Sequence, residues 1–198
     1  ETFYEVYNER NERELEQLAE LKWESPRSIK FLERVNHPSV PTIYPPMAQY
    51  VFRTVHFFQP DSILAMRLAF LIFDVLTLFF IIGILGKLGL NINMSGVYFW
   101  CPLIIKETFN STHLDIIGIS FLCGSIYFLV HKRHTLATFF LALGFLGKLY
   151  PAILFPLYIQ ACFQQCKKSK ENPWPIPILN TLFFVGIIIL GYIPFMGI

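Results

Sequence analysis

Charged residues are scarce along most of this 198-residue chain, and the charge that exists collects near its start. Residues 1–34 hold fifteen of the thirty Asp, Glu, Lys and Arg side chains, and the other 164 residues share the remaining fifteen. Only 15% of the residues are charged and 54% are hydrophobic, whereas about a quarter of a soluble domain is charged. This composition argues against an ordinary soluble domain and predicts an all-α, polytopic membrane protein with a polar leading segment.

The sequence also lacks the signatures of several enzyme classes. No Gly-rich phosphate loop or dinucleotide fingerprint is present, so a cytoplasmic nucleotide-sugar donor has no visible binding motif. A Gly-x-Ser-x-Gly elbow and a His-Glu-x-x-His zinc helix are missing as well. The net charge is +2 and no basic tract resembles a nucleic-acid footprint, so nucleic acid is not an expected partner. We expect buried free thiols, because no metal set is completed, at Cys101, Cys123, Cys162 and Cys166.

Residues 1–62 are predicted to form an extracytoplasmic region that precedes the membrane bundle. Residues 5–22 have leucines at a spacing of three and predict a solvated helix or a linker. Four prolines between residues 38 and 46 exclude a regular helix there, and Pro46 is well placed to begin one. The helix predicted over residues 46–58 would rise only about 20 Å, which suits an amphipathic helix at the interface better than a span.

Residues 63–198 contain six apolar segments and predict a bundle of about six membrane spans. The clearest span, residues 63–86, is interrupted only by Arg67 and Asp74. Since these two lie seven residues apart, they share a helix face that should point into the bundle. The other predicted spans are residues 96–109, 114–130, 135–147, 151–163 and 176–194.

Basic residues in the short connections predict the orientation of these spans. Lys87, residues 131–134 and residues 167–170 follow alternate spans, and clusters of this kind are typical of cytoplasmic loops. The turns at residues 110–115 and 148–150 would then face outward, together with the proline-rich loop. Because Glu1 follows no Met or signal peptide and the chain ends beside an apolar segment, we expect a fragment of a longer membrane protein.

The turn between residues 110 and 115 places ionisable groups between two apolar segments. Such groups are expensive at membrane depth and usually mark a functional site. The carboxylates of Glu107 and Asp115 beside the His113 imidazole could orient a sugar hydroxyl or bind a divalent ion, although so few residues do not define a metal site. In the alternative interpretation, Asp115 and Thr112 form a capping box that only satisfies the helix N-terminus.

Lys148 forms a second candidate site just before Pro151, the predicted first residue of a helix. A helix N-terminus attracts anions, and the Lys148 ammonium, with Lys106 on the same face, would add positive charge. Alternatively, Lys148 reaches to lipid headgroups while Tyr150 belongs to an interfacial aromatic belt. Both interpretations remain open. Together with the carboxylates, these cations predict a cavity for an anionic lipid headgroup and a polar acceptor.

Four segments, in this order, give the chain a family resemblance from about residue 36 to its C-terminus. The sequence resembles the GT-C integral-membrane glycosyltransferases, and within them the bacterial polyprenyl-phosphate-mannose-dependent mannosyltransferases of the family 87 type. The C-terminal residues 192–195 are similar to a further family segment. The motifs that carry the resemblance are residues 37–49 (HPSVPTIYPPMAQ), 99–107 (FWCPLIIKE), 113–115 (HLD) and 148–151 (KLYP).

The resemblance implies an inverting transfer of a sugar, typically mannose, from a polyprenyl-phosphate donor to a glycan or glycolipid acceptor. The reaction would take place on the extracytoplasmic face of the plasma (inner) membrane, in a multi-pass protein. The main catalytic base would lie before Glu1, and Asp115 would match an acidic position near the donor phosphate or a metal, which leaves a divalent metal open. We expect catalytic roles for Asp115 and Glu107. The expected substrate-binding residues are His37, Tyr44, Gln49, Lys106, His113, Lys148 and Tyr150.

Two other classes of membrane protein remain as alternatives. A transporter could bind its substrate between short helices with charges at membrane depth, but it would be expected to contain internal repeats. No convincing repeat occurs in these residues. A non-catalytic scaffold subunit would explain a chain without the main catalytic base.

Overall fold

The computed structural model describes residues 44–60, 62–110, 113–168 and 174–196, all within one compact unit, Tyr44–Ile198. The helix predicted over residues 5–22 and the loop with His37 lie outside the described residues. All regular structure within the described ranges is helical, which confirms the all-α prediction. The α-helices are α1 Pro46–Phe58, α2 Ile63–Lys87, α3 Ser95–Phe99, α4 Pro102–Ile104, α5 Asp115–Val130, α6 His134–Gly147, α7 Phe155–Lys168 and α8 Pro175–Tyr192. Short 3-10 turns lie at Ile92–Met94, Tyr150–Leu154 and Ile193–Phe195, and a π-helical turn lies at Ile105–Asn110.

Two of the described helices are long and apolar enough to cross a membrane. They are α2, with 25 residues and a mean hydropathy of 2.8, and α8 with its 3-10 extension to Phe195, with 21 residues and a mean hydropathy of 2.2. A span needs about 20 residues. Helices α5 and α6 are also apolar but have only 16 and 14 residues, which corresponds to about 24 and 21 Å of rise.

The single helix predicted over residues 96–109 is wrong. Helix α3 ends at Phe99, and Cys101 is extended, with φ −69° and ψ 113°. The cause is Pro102, because a proline ring disfavours the helical conformation of the residue before it. The segment continues as the short helix α4 and the π-helical turn that carries Glu107. The span predicted at residues 151–163 begins as a 3-10 turn, and regular helix starts only at Phe155.

Ring contacts define the directions of the packed helices. Phe73 meets Phe121 and Phe80 meets Phe128, so α2 and α5 run parallel. Helix α6 returns antiparallel to α5, because a Cβ atom placed on Gly147 would lie 3.4 Å from the Gly118 Cα atom. These contacts join helices that are far apart in sequence around a shared apolar core.

Helices α7 and α8 extend the same up-and-down order. The Ser125 hydroxyl pairs with the Tyr158 hydroxyl, and His134, just beyond the end of α5, contacts Gln165, so α7 runs parallel to α5. Phe183 stacks on Phe139 at 6.3 Å, and a Cβ atom placed on Gly191 would meet the Leu146 side chain. Helix α8 therefore runs parallel to α6.

This order gathers the connections at two opposite ends. We define the basic end by Lys87, the turn at residues 131–134 and the end of α7, where His134 Nε2 contacts Gln165 Oε1. We define the acidic end by Asp115 and Lys148. Helix α1 lies at the acidic end, because its buried Ala48 packs in one cluster with Leu114.

Two of the described cysteines, Cys101 and Cys123, are free thiols in half-buried positions. Cys162 is buried and receives a 3.8 Å hydrogen bond from the Asn180 amide. The prediction of free thiols is confirmed for Cys101 and Cys123, and the prediction of burial is confirmed for Cys162. The side chain of Cys166 lies outside the described part.

Candidate functional site

The α5–α6 hairpin brings together two charges that are distant in sequence. Asp115 is the first residue of α5, and Lys148 directly follows the last residue of α6. Since the two helices are antiparallel, both residues lie at the same end. Lys148 Nζ and Asp115 Oδ1 form an ion pair at 2.5 Å, with the lysine 33% and the aspartate 53% exposed. No acidic residue lies close to Lys148 in the sequence. In the fold, Asp115 neutralises its ammonium.

Gly118 provides the space in which Lys148 and Tyr150 approach α5. A Cβ atom at Gly118 would lie 3.2 Å from Lys148 Cβ and 3.6 Å from the Tyr150 hydroxyl oxygen. Burial raises the pKa of Tyr150 above its ordinary value, and the negative charge of Asp115 raises it further. The hydroxyl therefore stays protonated at neutral pH and can donate a hydrogen bond beside the Lys148 ammonium.

Glu107 and His113 form a second polar pair at the acidic end. His113 Nε2 lies 3.0 Å from Glu107 Oε2. The His113 backbone N–H also donates to the Glu107 carbonyl oxygen at 2.9 Å, which fixes the two residues relative to each other. The π-helical turn Ile105–Asn110 carries Glu107 into this position, and turns of this type are frequent at functional sites.

One cavity of about 340 Å³ joins these groups. Both predicted catalytic carboxylates and His113 line it, and Lys148 lies against one of them through the ion pair. The remaining wall is mostly apolar, so the cavity combines a few polar groups with a hydrophobic surface, as small-molecule sites usually do. The residues lining the cavity are Tyr98, Leu103, Ile104, Glu107, Thr108, His113, Asp115, Ile116 and Ile119.

Of the predicted substrate-binding residues that the structure describes, His113 lines this cavity, and the other five do not: Tyr44, Gln49, Lys106, Lys148 and Tyr150. Gln49 Nε2 donates to the Tyr44 carbonyl oxygen at 3.4 Å, and the Tyr44 ring meets Phe52 edge-on. These contacts fold the start of α1 back on itself. Lys106 is exposed on the π-helical turn, although its neighbour Glu107 faces the cavity. His37 lies outside the described residues.

One hydroxyl–carboxylate pair at this cavity was not indicated by the sequence. Tyr98, which lines the cavity, donates its hydroxyl to Asp74 Oδ1 at 2.5 Å. Asp74 had been predicted only to face the bundle interior, and Tyr98 is one of many aromatic residues in its segment. Their contact depends on the connection between Lys87 and Ser95, which brings α3 back against α2, and no sequence spacing indicates it.

Replacing Tyr98 by Phe should destabilise the protein by about 1–3 kcal/mol, because the half-buried Asp74 carboxylate would lose its hydrogen-bond donor. Thermal unfolding in detergent measures the effect. Tyr127→Phe is the matched control, since its ring packs against Phe80 and its hydroxyl makes no hydrogen bond within the described ranges. Equal melting temperatures for the two variants would contradict the stabilising role of the Tyr98–Asp74 contact.

The protein groups at this site do not by themselves make a complete metal centre. Over the described residues, no cluster of three or more His, Cys, Asp and Glu side chains could hold a metal ion. Glu107 and His113 would supply two ligands, and a divalent ion would need the others from substrate or water.

No protein-family model matches the chain, and neither a curated protein nor a solved structure has significant similarity to it. The likeness to the GT-C glycosyltransferases therefore depends on the four sequence motifs alone.

Proposed function

We propose that this chain is part of a polytopic membrane glycosyltransferase that moves a sugar from a polyprenyl-phosphate donor to a polar acceptor. The observation that supports this proposal most is the acidic-end cavity, in which Glu107, His113 and Asp115 meet beside Lys148. The motifs that resemble the polyprenyl-phosphate-mannose-dependent mannosyltransferases supply the reaction class, and mannose is the sugar that they favour.

In this proposal the donor phosphate binds at Lys148. The Lys148 side chain is two-thirds buried, so its attraction to an anion is screened less than at a free surface. The Tyr150 hydroxyl lies against Gly118, as the Lys148 side chain does, and can donate to a second phosphate oxygen. As the bond between sugar and phosphate breaks, negative charge develops on the leaving phosphate, and these fixed donors stabilise it.

The acceptor hydroxyl binds in the same proposal on the Glu107–His113 side of the cavity. A carboxylate at hydrogen-bond distance can orient that hydroxyl and take its proton during attack on the sugar. His113 holds Glu107 in place through the 3.0 Å contact. The exposed apolar side chains of Leu103 and Ile105, 65% and 52% accessible, offer a surface for the polyprenyl tail.

The membrane orientation follows from the charge of the two ends. The basic end carries Lys87, Lys132 and Arg133, and positive connections of this kind stay on the cytoplasmic side. The acidic end would then face outward, where polyprenyl-phosphate sugars donate. Helices α2 and α8 cross the bilayer. The shorter helices α5, α6 and α7 also cross it, inside the bundle that α2 and α8 enclose.

A transfer assay tests the function directly. Membrane vesicles containing the intact protein are supplied with radiolabelled polyprenyl-phosphate mannose, and label that leaves the lipid and enters a glycan or glycolipid product is counted. We expect protein-dependent transfer from this donor and none from a nucleotide sugar. If label crossed the vesicle membrane while still attached to its lipid, the protein would be a transporter and the proposal would fail.

A further inference from the structure

A second cavity, of about 540 Å³, lies at the basic end, between the α5–α6 turn and α7. The length of the α5–α6 hairpin separates it from the acidic-end cavity, so the two sites are distinct. Its wall combines one ammonium, one imidazole and two amides with an apolar side. The lining residues are Leu129, Val130, Lys132, His134, Ala161, Gln164 and Gln165.

The sequence around this cavity is positively charged without acidic compensation. No Asp or Glu occurs between Asp115, the first residue of α5, and Glu171. Four consecutive residues of the turn, 131–134, are basic or imidazole side chains, and Lys167 is exposed on the neighbouring helix. The charged side chains of residues 116–168 are therefore all cationic.

Lys132 occupies a backbone position that normally belongs to glycine. Its φ of 60° lies in the left-handed region. Its N–H donates to the Leu129 carbonyl oxygen at 2.9 Å, and the Arg133 N–H donates to the Phe128 carbonyl oxygen at 2.9 Å. This is the usual end of a helix at which glycine is preferred. A strained residue at such a position points to a role for its side chain, and here the side chain lines a cavity.

His134 lines the same wall and is held in place by a neighbouring side chain. Its Nε2 contacts the Gln165 side-chain oxygen, whereas its Nδ1 is buried and has no hydrogen-bond partner within the described ranges. The imidazole ring therefore contributes a fixed surface to the cavity wall, next to Lys132.

We infer that the basic-end cavity binds the headgroup of an anionic phospholipid. The Lys132 ammonium contacts the phosphate, the Gln164 amide bonds the headgroup hydroxyls or ester oxygens, and Leu129 with Val130 contacts the first acyl carbons. Basic pockets between membrane helices on the cytoplasmic side are known to take acidic headgroups. The inference requires the chain to lie in a membrane with its basic end at the lipid surface, and it does not depend on sugar transfer.

The variant Lys132→Gly distinguishes a loss of lipid binding from a loss of folding, because it should weaken binding without lowering stability. Glycine relieves the left-handed strain, so the melting temperature in detergent should stay equal or rise. Binding of phosphatidylglycerol should fall at least about fivefold, since one cation near an anionic headgroup supplies attraction of this order. Binding is measured on the intact protein in nanodiscs of phosphatidylcholine titrated with fluorescent phosphatidylglycerol.

Lys167→Ala is the matched control, because this lysine is exposed at the same end but does not line the cavity. It should retain binding within about twofold, as a screened surface charge contributes little. Equal loss in the two variants would indicate general surface attraction and overturn the inference. A competition experiment with inorganic phosphate forms the other arm. If millimolar phosphate displaced the lipid, the ligand would be free phosphate and the inference would be overturned. Unchanged binding by Lys132→Gly would overturn the site itself.

Discussion

Asp115→Asn in the intact protein should lower sugar transfer at least about tenfold, because the Lys148 ammonium would lose the carboxylate that positions it, and a misplaced group at a reacting centre commonly costs that much or more. Asn keeps the size of the side chain and can still accept hydrogen bonds from the α5 N-terminus. It cannot hold the Lys148 ammonium at 2.5 Å as an ion pair. Lys148→Ala should lower transfer by a similar factor. The measurement is the label transferred from polyprenyl-phosphate mannose per amount of protein in the membrane.

A charge-reversed pair distinguishes chemistry from structure. Asp115→Lys combined with Lys148→Asp keeps an ion pair between the ends of α5 and α6, so membrane expression should recover relative to either reversed single variant. Transfer should not recover, because the cation would lie on the wrong side of the cavity for the donor phosphate. Lys87→Ala, at the basic end, should leave transfer unchanged. If both Asp115→Asn and Lys148→Ala transferred sugar normally, Asp115 would act only as a helix cap and Lys148 only as a lipid anchor.

Gly124→Ala should lower the free energy of unfolding by about 1–3 kcal/mol, because the added methyl overfills a packed core. Its Cβ atom would lie 2.5 Å from Phe140 Cδ1 and 2.8 Å from Phe80 Cε2. Both rings belong to the aromatic contacts that join α2, α5 and α6, so neither can move without disturbing the other. Thermal unfolding in detergent, followed by circular dichroism, measures the loss.

Gly186→Ala is the control for the same chemical change in a helix interior. Nothing that the structure describes lies within 4 Å of a Cβ atom at this position. Alanine should therefore stabilise α8 by about 0.5–1 kcal/mol through its better helix propensity. If Gly186→Ala destabilised the protein as much as Gly124→Ala, the packing between α5 and its neighbours would not be the reason for glycine at position 124.

The long elements were predictable because each depends on a local signal. Helix α1 has the predicted bounds, since Pro46 opens it and the apolar pattern ends at Phe58. Helix α2 extends one residue beyond its predicted end, to Lys87, because the apolar run has no internal break. Residues 96–109 are equally apolar. Hydropathy alone therefore did not indicate that the helix breaks at Cys101, before Pro102.

The candidate site was predictable only where its residues are close in sequence. Glu107, His113 and Asp115 were grouped because a short turn connects them, and all three line one cavity. Lys148 was predicted to lie at the same end through the alternation of helices. Its ion pair with Asp115 depends on the register of the hairpin, which the Gly118–Gly147 approach sets. A single sequence contains no measure of that register.

The pairing of Lys148 with Asp115 has a consequence for successive rounds of reaction. An empty site carries no net charge at this corner, so it does not hold a stray anion between substrates. In the proposed reaction, an arriving donor phosphate would have to draw the ammonium away from Asp115, and Asp115 would recapture the ammonium once the spent lipid leaves. The same carboxylate would thus help to eject the product and return the protein to its starting condition.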